Sequence, residues 1–297
     1  SIAAGDLATL TYSINIADNA PTGECTIDAL ATVSALIYDD SAQNPLTWIV
    51  KSKSGLVIDN VYSEYTKVTK GYSYNLFITL TNTGEADCML NSLWPTYASG
   101  TYTFTFAPSY GLATGTYPGG GANTIIHGNE TKTAKFIVEI SSESSSGSDT
   151  LGAVASATNI LSGETIEILT TDNPHIWTIQ TPAELNLYEI IASSTLYRGQ
   201  KNNSIILMAT NEGEAELEWY PGSSTQHINF TPVTGAEKSY ENKKMVTEEP
   251  VINITNDKIV QAKYSVDIKQ DTATGTDRIT AKLFGTELNT SIPLEYA

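Results

Sequence analysis

Apolar and polar residues alternate along most of this chain with a period of two. Leu10, Tyr12, Ile14 and Ile16 are separated by Thr11, Ser13 and Asn15. Tyr102, Phe104 and Phe106 alternate with threonines, and Phe136, Val138 and Ile140 repeat the pattern, echoed by Tyr264, Val266 and Ile268. Side chains of a strand point alternately to its two faces, so each run predicts a strand with one face buried. Turn-forming clusters such as Thr116–Gly121 and Ser142–Gly147 separate the runs. Thr26 to Tyr38 has Ile27, Leu30, Ser34 and Ile37 at helical spacing. It also fits a strand, and it precedes an Asn-Pro run as Glu164–Leu169 does, so a strand is expected. Many short strands with turns about every 8–12 residues indicate antiparallel sandwiches.

The pattern is written twice. Asn44-Pro45-Leu46-Thr47-Trp48-Ile49-Val50 returns as Asn173-Pro174-His175-Ile176-Trp177-Thr178-Ile179, offset by 129 residues. Thr81-Asn82-Thr83-Gly84-Glu85-Ala86 returns as Thr210-Asn211-Glu212-Gly213-Glu214-Ala215 at the same offset. Ala134–Ile140 returns as Ala262–Ile268, and Gly147-Ser148-Asp149 as Gly275-Thr276-Asp277, offset by 128. Ordered matches at a nearly constant offset define a repeat. The expected organisation is an N-terminal arm over 1–24, one domain over 25–163 and a second over 164–297. Trp48 and Trp177, repeated at a strand position after Pro, are expected as plugs between sheets. A glycine free to adopt positive φ suits the Asn82-Thr83-Gly84 and Asn211-Glu212-Gly213 corners.

Val68-Thr69-Lys70-Gly71, followed by Leu76–Ala86 and by Gly128–Val138, resembles immunoglobulin-like modules of archaeal and bacterial surface proteins, the cell-adhesion-related module among them. The second unit matches through Gly199, Asn211 and Gly213, while Asn256-Asp257-Lys258 lacks the glycine of the later turn. The resemblance implies all-β architecture, two tandem immunoglobulin-like antiparallel β-sandwich domains outside the cell, and no particular activity.

In this alignment residues 1–24 have no counterpart, yet they carry the strand pattern Leu7–Ile16. Ser291–Ala297 maps onto Ser162–Ile168, at the junction between units. An added strand can complete a neighbour's sheet, and a heterologous contact of that kind generates an open polymer. Similarity to surface filaments with immunoglobulin-like subunits points the same way. Leu10, Tyr12, Ile14 and Ile16 are therefore the expected subunit-joining residues of a head-to-tail homopolymer, a pilus-like extracellular fibre. The alternative is a strand added to the chain's own sandwich.

Composition narrows the function. With 297 residues, the chain is long enough for two cores. A formal charge of −17 disfavours binding to phosphate backbones, so no nucleic-acid partner is expected. No apolar run approaches the roughly 20 residues that span a bilayer. Ser1 in place of Met leads to the expectation of a removed signal peptide. In an exported protein Cys25 and Cys88 read as one disulfide. A buried core thiol is the rival, since Leu217 stands where Cys88 maps. Asn129, Asn202, Asn229, Asn253 and Asn289 begin Asn-x-Ser/Thr acceptors for possible glycans.

No catalytic motif appears: no zinc-protease His-Glu-x-x-His, no nucleophile elbow, no phosphate loop and no Cys-x-x-Cys. No enzyme and no cofactor are expected. Structural Ca²⁺ is possible, with Asp39 and Asp40 as weak candidate ligands at a strand end. Two other readings stay open. One is a carbohydrate- or receptor-binding adhesin module presenting Tyr102, Tyr110 or Tyr117 around Gly119–Gly121. The other is a viral capsid or spike protein.

Overall fold

The computed structural model describes residues 6–33, 36–39, 46–99, 101–107, 124–169, 173–222, 228–236 and 240–296. The chain is all-β, with two sandwiches in tandem and no helix among the described residues. In the first sandwich one sheet orders Leu56–Tyr62, Ser73–Asn82, Thr131–Ile140 and Tyr102–Ala107. The facing sheet runs Thr124–Ile126, Cys88–Tyr97, Gly147–Asn159, His175–Gln180 and Lys67–Thr69, with Thr165–Leu169 on a second stretch of Gly147–Asn159. Leu76, Ile78, Leu80, Leu90, Phe136 and Trp177 fill the space between. In Thr131–Ile140 the inward Phe136, Val138 and Ile140 are those that the alternation predicted, because a period-two strand offers only one apolar face, whereas Leu10–Ile16, read the same way, forms no strand and is exposed.

The second sandwich repeats the first sheet as Leu185–Ala192, Asn203–Asn211, Ile259–Ile268 and Tyr240–Met245. Its facing layer is shorter. It holds Ile252–Ile254, Leu217–Trp219, Leu283–Glu287 and Pro293–Tyr296, with Ile228–Pro232 and Asp277–Ala281 as a separate pair. Ile205, Leu207, Leu217, Trp219, Ala262 and Leu283 form its core.

Each sandwich is pinned at the repeated corner by a fully buried asparagine. Asn82 donates from Nδ2 to Ala86 O at 2.8 Å and to Ile126 O at 3.2 Å, and its Oδ1 accepts from Gly84 N at 3.1 Å. Asn211 does the same with Ala215 O, Ile254 O and Gly213 N, and its Oδ1 also accepts from Glu184 N at 3.0 Å, as Asn82 Oδ1 does from Gly55 N at 3.2 Å. The glycines of this corner are needed for a reason other than positive φ. A Cβ on Gly84 would lie 1.8 Å from Lys53 O, and one on Gly213 1.8 Å from Pro182 O. The corner is a close crossing of two backbones.

Three expectations are corrected by the packing. The boundary between 163 and 164 does not separate the cores. Thr165–Leu169 and His175–Gln180 pair with Gly147–Asn159, Trp177 and Ile179 lie in the first core, and the second core begins at Ala183. Along the edge of Gly147–Leu151 the inward Trp177 and Ile179 are buried among the residues of the first core. Cys25 and Cys88 are not bridged: Cys25 is exposed on an N-terminal ribbon, while Cys88 lies wholly inside the first core. Cys88 packs as a small apolar side chain, as Leu217 does in the second unit.

Finally, residues 1–24 do have a counterpart. Tyr12, Ile14, Ile16 and Gly23 stand 124 residues before Phe136, Val138, Ile140 and Gly147, and 252 before Tyr264, Val266, Ile268 and Gly275. The backbone agrees: Gly23, Gly147 and Gly275 have φ of 125°, 125° and 143°, a region that favours glycine. An alignment of two units conceals this third, partial copy, because Ile27 to Asn44 is five residues shorter than Leu151 to Asn173.

Candidate functional site

The candidate site is a strand position that one sandwich has filled and that, among the described residues, the other has open. In the first sandwich His175–Gln180 runs antiparallel to Gly147–Leu151, with Asp149 opposite Trp177 and Gly147 opposite Ile179. Its other edge runs parallel to Lys67–Thr69. Proline at 174 biases the preceding residue towards extended backbone, and the alternation of Trp177 and Ile179 turns both side chains inward. Trp177 has no exposed surface and meets Tyr74 and Tyr102 at ring separations of 6.0 and 6.2 Å. His175 Nε2 lies 2.8 Å from Tyr65 O, which ties the start of the strand down.

The strand also leads directly into the second sandwich, so the slot doubles as the junction. Glu287, almost fully buried, accepts from Thr69 Oγ1 at 2.6 Å and from Ala183 N at 2.9 Å. Asn289 donates to Gln180 Oε1 at 2.9 Å and to Thr69 Oγ1 at 3.2 Å. The acidic run after Asn211 is used here too. Glu216 pairs with Lys67 at 2.7 Å, and Glu214 accepts from Thr181 N at 2.8 Å.

The second sandwich repeats the walls of the slot without the strand. Tyr102 donates its hydroxyl to Asp149, and Tyr240 donates to Asp277 at the equivalent place. Asp277–Ala281 pairs with Ile228–Pro232 on one edge, and among the described residues no strand pairs with the other. Where Trp177 sits in the first sandwich, the second has a cleft of about 270 Å³. Ile205, Val266, Ile268, Tyr240, Asp277 and Ile279 line it. Their counterparts Leu76, Val138, Ile140 and Leu151 are completely buried around Trp177. Tyr197, the counterpart of buried Val68, is three-quarters exposed.

A copy of the missing strand lies at the other end of the chain. Among the described residues Leu46–Val50 pairs only with Gly23–Ile27, as a two-stranded ribbon. Gly23 is opposite Val50 and Cys25 opposite Trp48, the register of Gly147 on Ile179 and Asp149 on Trp177. Leu46, Trp48 and Ile49 are exposed, Trp48 by 38%. Before the ribbon, Leu10, Tyr12, Ile14 and Ile16 are all more than half exposed and in no strand. Lys53 reaches back to Asp18 at 3.2 Å.

Burial acts on the tyrosines of both sites. Tyr102 and Tyr240 are held far above the ordinary tyrosine range by burial and by the adjacent Asp149 and Asp277. Burial pushes Tyr264 up to about 12. A raised folded pKa gives stability that is complete below the unfolded value near 10 and is lost as pH rises through the folded value. Stability is therefore expected to fall steadily above about pH 10. Tyr264→Phe should flatten that slope and also remove the 2.8 Å bond to Pro221 O. Urea unfolding at a series of alkaline pH values checks this; an unchanged slope would remove Tyr264 from the account.

The remaining sequence candidates fall in several places. Asn129, Asn202, Asn229 and Asn253 are exposed and accessible, whereas the Asn289 amide is engaged at the junction. The side chains of Asp39 and Asp40 lie outside the described residues, as do Tyr110, Tyr117 and Gly119–Gly121. Tyr102 is a packed wall residue, not a surface platform. Among the described residues no three His, Cys, Asp or Glu side chains gather, and no helix is long and apolar enough to cross a membrane. Sequence reading missed the cleft. Its signal was available: the Asn-Pro-x-x-Trp run occurs before each unit, at Asn44 and at Asn173.

No family model and no curated protein matches the chain. Solved structures similar to it include the secreted serine protease VesC of Vibrio cholerae, at 10% identity and TM-score 0.27, covering 82% of this chain and 60% of that one. A Porphyromonas gingivalis protein of unknown function gives 9% identity and TM-score 0.30, covering 71% and 83%. The C-terminal domain of the Streptococcus agalactiae AgI/II polypeptide BspA gives 9% and 0.29, covering 81% and 97%. Likenesses at these scores leave function to the chain's own geometry. Fold and site define a tandem β-sandwich chain, one module of which is completed by a strand from beyond its own repeat.

Proposed function

We propose that this chain is an exported structural subunit of a cell-surface fibre, joined head to tail by strand donation from its first fifty residues. One observation carries the reading: apolar side chains that are buried in both sandwiches are exposed in the N-terminal copy. Tyr12, Ile14 and Ile16 lie open, while Phe136, Val138 and Ile140 are buried. Burying four or five such side chains contributes roughly 1.5–3 kcal/mol each before entropy losses. That is enough for a durable joint. A contact between unlike surfaces propagates without closing, which suits a fibre. The Thr-rich exposed faces, with glycans on the accessible sequons, keep such a fibre soluble.

The test is assembly. Full chain incubated at high concentration is expected to give fibres one subunit wide by negative-stain electron microscopy. The 51–297 chain, which retains both cores, is expected to stay folded and monomeric. Full chain that remains monomeric under all conditions would overturn the reading.

A further inference from the structure

We infer that the cleft beside Gly275–Ile279 in the second sandwich receives the Leu46–Val50 strand of a second copy of this chain. This deepens the strand-donation reading and rests on it. The Leu7–Ile16 arm is another exposed apolar segment, but it copies Thr131–Ile140 and Ile259–Ile268, and both sandwiches already hold their own version of that strand. The open position is the one that His175–Gln180 takes in the first sandwich. Only Leu46–Val50 carries the same Asn-Pro-x-x-Trp run.

The docked geometry follows from the filled slot. Val50 comes opposite Gly275, Ile49 opposite Thr276, Trp48 opposite Asp277 and Leu46 opposite Ile279, as Ile179, Thr178, Trp177 and His175 oppose Gly147, Ser148, Asp149 and Leu151. Trp48 then enters the cleft between Tyr240, Val266 and Ile268, and Ile49 stays on the outer face with Thr276. The joint between copies has the same form as the joint between modules, so the fibre has one kind of junction throughout.

In the free chain the donor is covered on one edge. Gly23–Ile27 pairs with the edge of Leu46–Val50 that Gly275–Ile279 would take, in the same register and with the same left-handed glycine. Assembly is thus an exchange of Gly23–Ile27 for Gly275–Ile279. The exposed side chains of Leu46 and Trp48 gain cover while the number of strand pairs on that edge is kept.

A register-specific crosslink tests this in the full chain, with Cys25→Ser and Cys88→Ala removing the native thiols. Ile49→Cys with Thr276→Cys is expected to give, on mild oxidation, a ladder of chain multiples on a non-reducing gel. Ile49→Cys with Asp277→Cys, displaced by one residue onto the opposite face, is expected to give at least tenfold less. Trp48→Ala should weaken assembly by about 30-fold or more, as for a central tryptophan anchor, with circular dichroism unchanged. A peptide of residues 44–51 in excess should compete.

Fibres that survive Trp48→Ala, yield no ladder and disappear when residues 1–20 are removed would overturn this inference and leave strand donation standing, with Leu7–Ile16 as donor. A chain that forms neither fibres nor ladder overturns both.

Discussion

Trp177→Ala is expected to unfold the first sandwich at much lower denaturant than the parent, at a cost of about 3–5 kcal/mol. The side chain has no exposed surface and is the largest in the first core. Tyr74, Tyr102 and His175 surround it, each held by its own hydrogen bond. Those anchored neighbours cannot collapse into the space, so the variant keeps a cavity as well as losing the transfer energy of the indole. The second sandwich has its own core, and its transition should move far less. Two resolved transitions in urea, followed by fluorescence and far-ultraviolet circular dichroism, are the expected signature. The same substitution at Trp48, in the same motif, should cost less than about 1 kcal/mol in the monomer because the site is open. Equal effects at the two tryptophans would show that the N-terminal ribbon is packed against something, and would remove it as a donor.

Asn211→Ala should destabilise the second sandwich by about 3 kcal/mol or more. The residue is fully buried, and four backbone groups depend on it: Ala215 O, Ile254 O, Gly213 N and Glu184 N. Each buried group left without a partner costs about 1–3 kcal/mol, and an alanine methyl satisfies none of them. Relaxation and water entry recover part of the sum. Asn211→Asp should fare no better, since a carboxylate cannot donate to the two carbonyls and brings a charge into the core. Hydrogen exchange gives the local readout, with protection at Gly213 N and Glu184 N lost well before that of Leu207. If Asn211→Ala shifted the urea midpoint by no more than a surface substitution does, the corner would be ornamental. Asn82 performs the same task in the first sandwich, so its substitution should act on the other transition.

Much of the fold was legible because β structure writes its burial in period two. Leu76, Ile78, Phe136, Val138, Tyr264 and Val266 alternate in the sequence and are inward in the sandwiches. The corner was legible as a repeated Asn-x-Gly, although its glycine serves a close backbone crossing and not positive φ. Recurrence after proline marked both Trp48 and Trp177 as plugs, but only Trp177 is one; Trp48 is exposed on the two-stranded ribbon. The site was less so. Alternation gives the same signal at Tyr12–Ile16 and at Phe136–Ile140, yet the first is open and the second buried. A strand's apolar face records that cover is needed without recording who provides it.

The sequence by itself determined that this protein is all-β, duplicated and acidic, and where its inward faces lie, because these follow from composition, period and repeat. Only the tertiary structure decided that His175–Gln180 belongs to the sandwich before it, that Cys25 and Cys88 stay apart, and that no described strand takes the equivalent position in the second sandwich. Those facts turn on which edges meet. Edge pairing joins backbone groups common to every residue, so it leaves no mark in the order of side chains until the strands are placed side by side.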